Sequence, residues 1–261
     1  MKVLHVISSL AVGGAQKLVA DLLPIISTEG IDVELLVFQE VENHLSEKIK
    51  KAGITIHSLP ANAGRWKRMM ALRKALVHYQ LVHVHLFPTL YWVALANIGI
   101  HVPLVFTEHS TSNRRRGKFY LRPLEQFIYS RYQAVISISE QTQQALLSWL
   151  KPQNTNAFSV VENGIDLSVY TPQTEVKRNP QIVMVSRFVP AKDQATLIKA
   201  MAYVNKQLSL LLVGDGETMA RCKELSNQVG VSDRVQFLGA RSDVSEWLWQ
   251  SMIGVQSSHW E

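Results

Sequence analysis

The chain has 261 residues, enough for one large domain or two of ordinary size. Its hydrophobic content of 47% and charged content of 18% exclude a disordered chain and indicate a packed globular protein. The single cysteine, Cys222, excludes an internal disulfide and is compatible with a reducing compartment. The first residues lack the long apolar core of a signal peptide, because His5 and Ser8 interrupt it. We therefore expect a cytoplasmic protein.

Positive charge is concentrated in the first two thirds of the chain. Residues 1–170 have a net charge of +5 (17 Lys and Arg against 12 Asp and Glu), and residues 171–261 have +1. The excess lies in two runs, 65–74 and 113–118, with Trp66 and Phe119 beside them. Such runs are typical of a solvated face or of contact with anionic lipid or phosphate. Peripheral binding to the cytoplasmic face of a membrane is therefore a hypothesis. No motif indicates nucleic acid as a partner.

Residues 81–106 contain no Asp, Glu, Lys or Arg and are long enough to span a bilayer. His83, His85, Pro88 and Pro103 interrupt this segment at positions that would be costly in lipid. The pattern favours a strand, a helix that starts at a proline, and a second strand, all buried in protein.

The chain opens with a predicted strand at 2–8, a glycine turn with Gly13 and Gly14, and a helix pattern. This is the opening unit of a doubly wound fold, in which the helix N-terminus offers free N–H groups to an anion. We expect Pro24 to end or kink the helix.

Short apolar runs rich in Val, Ile and Leu then alternate with helix patterns, which predicts parallel sheets covered on both faces. In the first part, further strands are predicted at 31–38, 54–59, 81–86, 104–107, 134–139 and 158–161. After a polar, aperiodic linker at 166–179, strands are predicted at 181–186, 208–213, 235–238 and 254–257. The prediction is two Rossmann-like α/β domains, 1–165 and 180–261.

A series of short motifs follows the predicted strands. They are Gly13-Gly14-Ala15-Gln16, His83-Val84-His85, Thr107-Glu108-His109, Glu162-Asn163-Gly164-Ile165-Asp166, Ser186-Arg187 with Lys192, Val213-Gly214-Asp215-Gly216-Glu217, Phe237-Leu238-Gly239 and Ser257-Ser258-His259-Trp260-Glu261. In this order the motifs resemble a retaining glycosyltransferase of GT-B fold, family 4 (glycosyltransferase group 1), along the whole chain.

The resemblance implies transfer of a hexose, with retention, from a nucleotide sugar (a UDP- or GDP-sugar). The acceptor would be a surface polysaccharide or a lipid-linked glycan, bound by the first domain, and the second domain would bind the donor. The resemblance implies no cofactor and no metal, since many members of the family neutralise the leaving diphosphate without one.

The spacing of Arg187 and Lys192 allows two cations to converge on one diphosphate from a single strand–helix turn. A pair of surface cations would have the same spacing. The resemblance implies that both bind the donor, together with backbone at Gly13 and Gly14.

The resemblance assigns two catalytic residues. His109 would hold the donor sugar near the reacting carbon, and Glu261 would contact hydroxyls of that sugar as part of the donor site. A histidine at a strand end is also a common structural hydrogen bonder.

Four further positions complete the candidate set. Leu238 and Gly239 would line the nucleoside base, although a buried strand and turn have the same pattern. On the acceptor side the candidates are His85, which packing would also explain, and Ser139, which is typical of a helix N-cap.

The chain departs from the family pattern at its end. Family members continue beyond the counterpart of Glu261 with Gly-Phe-Gly and a second glutamate that holds the ribose. We therefore expect a C-terminally truncated second domain with little transferase activity by itself. The strands predicted at 208–213 and 254–257 would be partly open to water.

Two other functions fit parts of the sequence. A metal-dependent hydrolase could use His83 and His85, which lie two apart on a strand and so share a face, with Glu108 and His109. It would leave the pair of cations at 187 and 192 unexplained. The second alternative is a non-catalytic, truncated relative of the family.

Overall fold

The structure, a computed structural model, describes residues 1–11, 13–111, 115–167, 169–171, 173 and 175–259. The chain divides into two compact units, Met1–Ile165 and Asp166–Glu261. Each unit contains a parallel sheet with helices packed against it, which confirms the predicted α/β fold class.

The first unit has a seven-stranded sheet within its described residues, in the order β3-β2-β1-β4-β5-β6-β7. Its strands are β1 Lys2–Ile7, β2 Asp32–Val37, β3 Ile56–Ser58, β4 Leu81–His85, β5 Leu104–Glu108, β6 Ala134–Ser137 and β7 Phe158–Val160. Its helices are α1 Gly14–Thr28, α2 His44–Lys51, α3 Arg65–Leu76, α4 Thr89–Ala96, α5 Arg122–Tyr129 and α6 Glu140–Leu150.

Both faces of this sheet are buried, because side chains alternate between the faces along each strand. Val3 and Ile7 of β1 belong to one apolar cluster, and Leu4 and Val6 belong to the other. By this alternation His5 projects to the same face as Val3 and Ile7. The imidazole ring of His5 therefore lies within an otherwise apolar layer, and His5 is 2% exposed.

The uncharged segment 81–106 folds as predicted. It forms β4, then α4 with Pro88 as its N-cap, then β5 after Pro103. Over the part of the chain that the structure describes, no helix is both long and apolar enough to cross a membrane.

In the second unit the described strands form a four-stranded sheet, in the order β10-β9-β8-β11. The strands are β8 Asn179–Val185, β9 Ser209–Val213, β10 Val235–Gly239 and β11 Ser251–Gly254, and the helices are α7 Gln194–Ala200, α8 Met219–Gln228 and α9 Val244–Gln250. One 3-10 turn, Pro190–Lys192, lies between β8 and α7.

The last strand lies three residues earlier than the predicted 254–257. Helix α9 ends at Gln250, and β11 pairs with β8 at once, so that Gly254 lies opposite Val183. Because β8 ends at Val185, only two of its residues remain beyond that pair. The following chain is irregular, although the Val255 N–H still donates to the Val183 carbonyl at 2.9 Å.

Pro24 lies inside α1, which continues to Thr28, so the helix does not end at this proline. The other expected effect of Pro24, a kink in the helix, stays a prediction. The expected exposure of the strand at 208–213 is wrong. Strand β9 is not open to water. It lies between β8 and β10, and both of its faces are covered by the apolar clusters of this unit. At the sheet edge, Met252 and Ile253 of β11 are 52% and 40% exposed, as expected.

Candidate functional site

Candidate residues of the first unit gather at the carboxyl edge of its sheet. The strand order reverses between β1 and β4, and open α/β sheets bind ligands outside the carboxyl ends of the strands at such a point. His85 is the last residue of β4, and His109 follows β5 directly. Gly13 and Gly14 form the start of α1, after β1. The structure therefore places His85, Gly13 and Gly14 on the elements that border the switch point, and His109 after the next strand of the sheet.

Four histidines form a cluster at this edge. The ring of His85 lies between two others, with Nε2 at 3.1 Å from Nδ1 of His5 and Nδ1 at 3.2 Å from Nε2 of His109. The ring of His83 stacks on that of His85 with centroids 4.3 Å apart, while its Nε2 contacts Thr107 Oγ1 at 2.7 Å. His5 was not among the predicted site residues. The available signal was a histidine inside the first predicted strand, at 2–8.

Burial keeps these rings neutral. It lowers the pKa of His5 and of His85 well below the usual value, and the neighbouring histidines lower both pKa values further. The pKa values of His83 and His109 are lowered to about 4, again mainly by burial. At neutral pH each ring therefore carries one N–H and one bare nitrogen.

The nitrogen atoms of His5, His83 and His85 lie within 4.8 Å of one another, so they could hold a metal ion. The hydrolase hypothesis also needs Glu108, but its carboxylate accepts hydrogen bonds from Arg116 Nη2 and the Tyr129 hydroxyl, both at 2.8 Å. Alternation along the chain directs Glu108 and His109 to opposite faces. The proposed Glu108–His109 pair is therefore not formed.

The second basic run is largely structural. Arg115 donates to the buried carboxylate of Glu125 at 2.7 Å, and Arg116 binds Glu108. These arginine side chains are 18% and 10% exposed, so they do not form part of a solvated basic face. Asn113 and Arg114 of this run lie outside the described residues.

The remaining candidates of the first unit are at helix starts. Gly13 is the N-cap of α1, and a methyl group added to Gly14 would meet open space. Ser139 is the N-cap of α6, where its Oγ accepts the Thr142 N–H at 3.2 Å, as predicted.

In the second unit, Arg187 and Lys192 lie on the connection from β8 to α7, at the carboxyl edge where the strand order reverses between β8 and β11. Gln194 stabilises this connection: its amide donates to the Arg187 carbonyl at 2.8 Å and to Ser186 Oγ at 2.9 Å. Gln194 is 2% exposed and was not among the predicted site residues. The signal was a polar residue at a helix position that faces the core.

The Gly214-Asp215-Gly216 loop packs directly against the same connection. A Cβ atom added to Gly214 would lie 2.0 Å from the Ser186 carbonyl oxygen, and one added to Gly216 would lie 2.4 Å from that of Phe188. Both glycines have positive φ values, +137° and +151°. The two glycines therefore permit the backbone approach that positions Arg187, a role that the sequence analysis did not assign.

The stretch after β11 also contacts this connection. Ser257 Oγ donates to the Asp193 carbonyl at 2.9 Å, and the His259 N–H donates to the Ala191 carbonyl at 2.8 Å. His259 Nε2 lies 3.1 Å from Asp193 Oδ2. The structure thus brings the C-terminal motif against the turn that holds Lys192. Glu261, the last residue of this motif, lies outside the described residues.

Leu238 and Gly239 end β10 at the same edge. Leu238 packs against the apolar cluster formed by Val183, Leu211 and Val213, so packing accounts for its side chain. Gly239 has φ +72°, and its carbonyl accepts the N–H of Gly214 at 2.8 Å. This bond joins the predicted base-lining loop to the glycine loop.

Comparison with known proteins gives matches along nearly the whole chain. Residues 12–169 match the family model described as Glycosyltransferase Family 4, and residues 171–261 match Glycosyl transferases group 1. The chain is 27% identical over 184 residues to N-acetyl-alpha-D-glucosaminyl L-malate synthase of Bacillus anthracis, covering 66% of this chain and 47% of that protein. It is 37% identical over 82 residues to the lipopolysaccharide core biosynthesis glycosyltransferase LpsE of Rhizobium meliloti, covering 31% of this chain and 24% of LpsE. The chain thus spans less than half the length of these relatives.

A crystal structure of HepE from Anabaena, in complex with UDP and glucose, shares the fold with a TM-score of 0.86. The sequences are 20% identical, and the match covers 99% of this chain and 74% of HepE.

Replacing Gly216 by alanine tests the close packing of the glycine loop. We expect Gly216→Ala to lower the free energy of unfolding by about 3 kcal/mol, because Cβ would collide with the Phe188 carbonyl at a strained φ. Gly230→Ala is the matched control: φ is also positive (+73°), but no atom lies within 4 Å of the added Cβ. The control should lose about 1 kcal/mol. Urea unfolding that gives equal losses for the two variants would contradict the packing argument.

The neutral histidines predict a loss of stability in acid. The unfolded chain protonates them below the ordinary value of 6.5, whereas folded His83 and His109 resist protonation until about pH 4. Their contribution to the free energy of unfolding is therefore complete above pH 6.5. It is lost as pH falls, by about 1.4 kcal/mol per pH unit for each histidine. Burial raises the pKa of Glu108, so this carboxyl group changes the stability with pH in the opposite direction.

A difference between variants isolates the histidine contribution. Urea unfolding at several pH values should show a weaker pH dependence for His83→Asn than for the unmodified chain. The exposed His101 serves as the control, and His101→Asn should leave the dependence unchanged. Parallel pH curves for all three proteins would refute the explanation.

Proposed function

The chain belongs to glycosyltransferase family 4, and on this premise we propose that it transfers a hexose from a nucleotide sugar, with retention, to a glycan or lipid-linked acceptor. The single observation that carries the proposal is the position of the candidates in the second unit. Arg187, Lys192 and the Gly214–Gly216 loop lie together at the carboxyl edge of its sheet, at the switch point.

In the proposed reaction an acceptor oxygen forms a bond to the anomeric carbon while the bond from that carbon to the diphosphate oxygen breaks. The acceptor hydroxyl passes its proton to the departing diphosphate, on which negative charge develops as this bond breaks. Arg187 and Lys192 would neutralise this charge, since charge-assisted bonds to phosphate are the stronger class of hydrogen bond. We propose that these cations suffice without a metal ion.

The backbone around Arg187 suits this task. Its carbonyl is held by the Gln194 amide, and the carbonyls on either side of it meet the two glycines. A cation on a fixed backbone needs less ordering when the ligand binds, which favours orientation of the reacting groups. Gly239, hydrogen-bonded to the same glycine loop, would lie near the nucleoside base.

For the first unit we propose a sugar-binding role for His109 and an acceptor-side role for His85 and Ser139. Gly13 and Gly14, at the free N-terminus of α1, would add backbone N–H groups for phosphate. The name of LpsE supports a surface-glycan acceptor, and the ligands of the HepE structure support a UDP-sugar donor, with a GDP-sugar as the alternative.

We further propose that the outer face of α3 contacts an anionic membrane. Trp66, Met70 and Val77 are 76%, 49% and 54% exposed, and Lys67 and Lys74 are exposed among them. Met70, Lys74 and Val77 also line an open groove of about 520 Å³. Apolar side chains interleaved with lysine on one helix face are typical of an interfacial helix.

Removing either cation should weaken diphosphate binding. We expect Arg187→Ala and Lys192→Ala each to reduce the affinity for UDP by about 1.5–3 kcal/mol, or roughly 10- to 150-fold. Lys199→Ala is the control, because Lys199 is exposed on α7 but lies beyond the connection. Isothermal calorimetry with UDP, and in parallel with GDP, measures the change. If both alanine variants bind the diphosphates as tightly as the control, these residues are not the phosphate site.

The membrane proposal predicts binding that rises with anionic lipid and falls with salt. Replacing Lys67 and Lys74 by glutamine should weaken binding to phosphatidylserine vesicles by about 1 kcal/mol per lysine. The same change at Lys199 and Lys206, exposed in the second unit, should have no effect. Cosedimentation that depends neither on lipid charge nor on the α3 lysines would refute this contact.

A further inference from the structure

Three histidine rings of the first unit are joined in a line. His5 Nδ1 meets His85 Nε2 at 3.1 Å, and His85 Nδ1 meets His109 Nε2 at 3.2 Å. The three residues come from neighbouring strands, since β1 pairs with β4 and β4 pairs with β5. His5 and His85 are each 2% exposed, so little water competes for these nitrogens. Both nitrogens of His85 are thus used by other rings.

Neutral rings in such a line are coupled. Each ring has one N–H, so the central ring donates to one neighbour and accepts from the other. If the hydrogen bonds run from His5 toward His109, all three rings carry the proton on Nδ1. If they run the other way, all three carry it on Nε2. In either direction the tautomer of His109 is tied to that of His85.

The tautomer of His109 matters because its second nitrogen is left for a ligand. Among the described residues, none forms a hydrogen bond with Nδ1 of His109. One direction of the line makes that atom a donor, and the other makes it an acceptor. If the site binds a sugar hydroxyl through a fixed donor or a fixed acceptor, the hydrogen bonds between the histidines must run in one direction only.

We propose that His85 is a positioning residue that fixes the ring orientation and tautomer of His109, and that His5 anchors the far end of the line. The relevance of this role to sugar transfer rests on the proposed function, whereas the coupling of the rings does not. The buried, neutral state of all three rings supports the coupling, because a protonated His85 would donate to both neighbours and the hydrogen bonds would no longer run in one direction.

The test is ¹⁵N NMR of histidine-labelled protein at neutral pH, which reports the tautomer of each ring without any substrate. We expect His5, His85 and His109 to share one tautomer in the unmodified chain. Mixed tautomers among the three rings would overturn the proposal without bearing on diphosphate binding by the second unit.

Two substitutions of His85 separate positioning from packing. An asparagine amide lies near the place of Nδ1 and can keep the contact with His109, whereas a glutamine amide reaches toward the place of Nε2 and His5. We expect His85→Asn to leave one tautomer of His109 predominant and His85→Gln to give a mixture. Equal spectra for the two variants would mean that His85 acts only by filling space.

His83→Asn is the matched control, because His83 stacks on His85 but bonds to Thr107 outside the line. This variant should leave the tautomer of His109 unchanged, and a change would refute the linear coupling. Stoichiometric binding of added Zn²⁺ through the nitrogens of His5 and His85 would instead identify a metal site and overturn the proposal.

Discussion

Parallel pairing is the constraint on which the candidate site depends. Parallel strands end at the same edge of a sheet, so residues far apart in sequence become neighbours once the strands pair. In the first unit this brings together His5, His85 and His109 from three strands. In the second it brings the Arg187 connection beside the glycine loop and the stretch that contains Ser257. Neither group is formed by a local motif alone.

The carboxyl edges of the two sheets meet different physical requirements. In the first unit, polar rings are buried in an apolar layer, and their hydrogen bonds to one another offset the cost of desolvation. In the second unit, an exposed cation must be held in place without burial. The structure does this through the backbone: Gln194 fixes the Arg187 carbonyl, and the absence of Cβ atoms at Gly214 and Gly216 allows the loops to touch.

Much of the fold could be predicted because the apolar runs match the buried strands, and Ser139 marks the start of α6 correctly. The position of β11 could not be predicted, because it is set by pairing with residues 179–183 of β8 and not by the local sequence pattern. The sequence did not predict which side chains bind each other either. The ion pair of Arg116 with Glu108 joins residues whose sequence suggested a basic surface and a catalytic pair, and only tertiary packing shows that they bind each other.

The central claim is that ligand chemistry occurs at the carboxyl edges of the sheets. Backbone amide shifts in ¹H–¹⁵N NMR spectra during titration with UDP test it residue by residue. The account predicts the largest shifts at Arg187, Gly214, Gly216 and Gly239, around the connection and the loops that contact it. Shifts confined to the opposite edge of the same sheet, at Ser209 or Val235 where β9 and β10 begin, would contradict it.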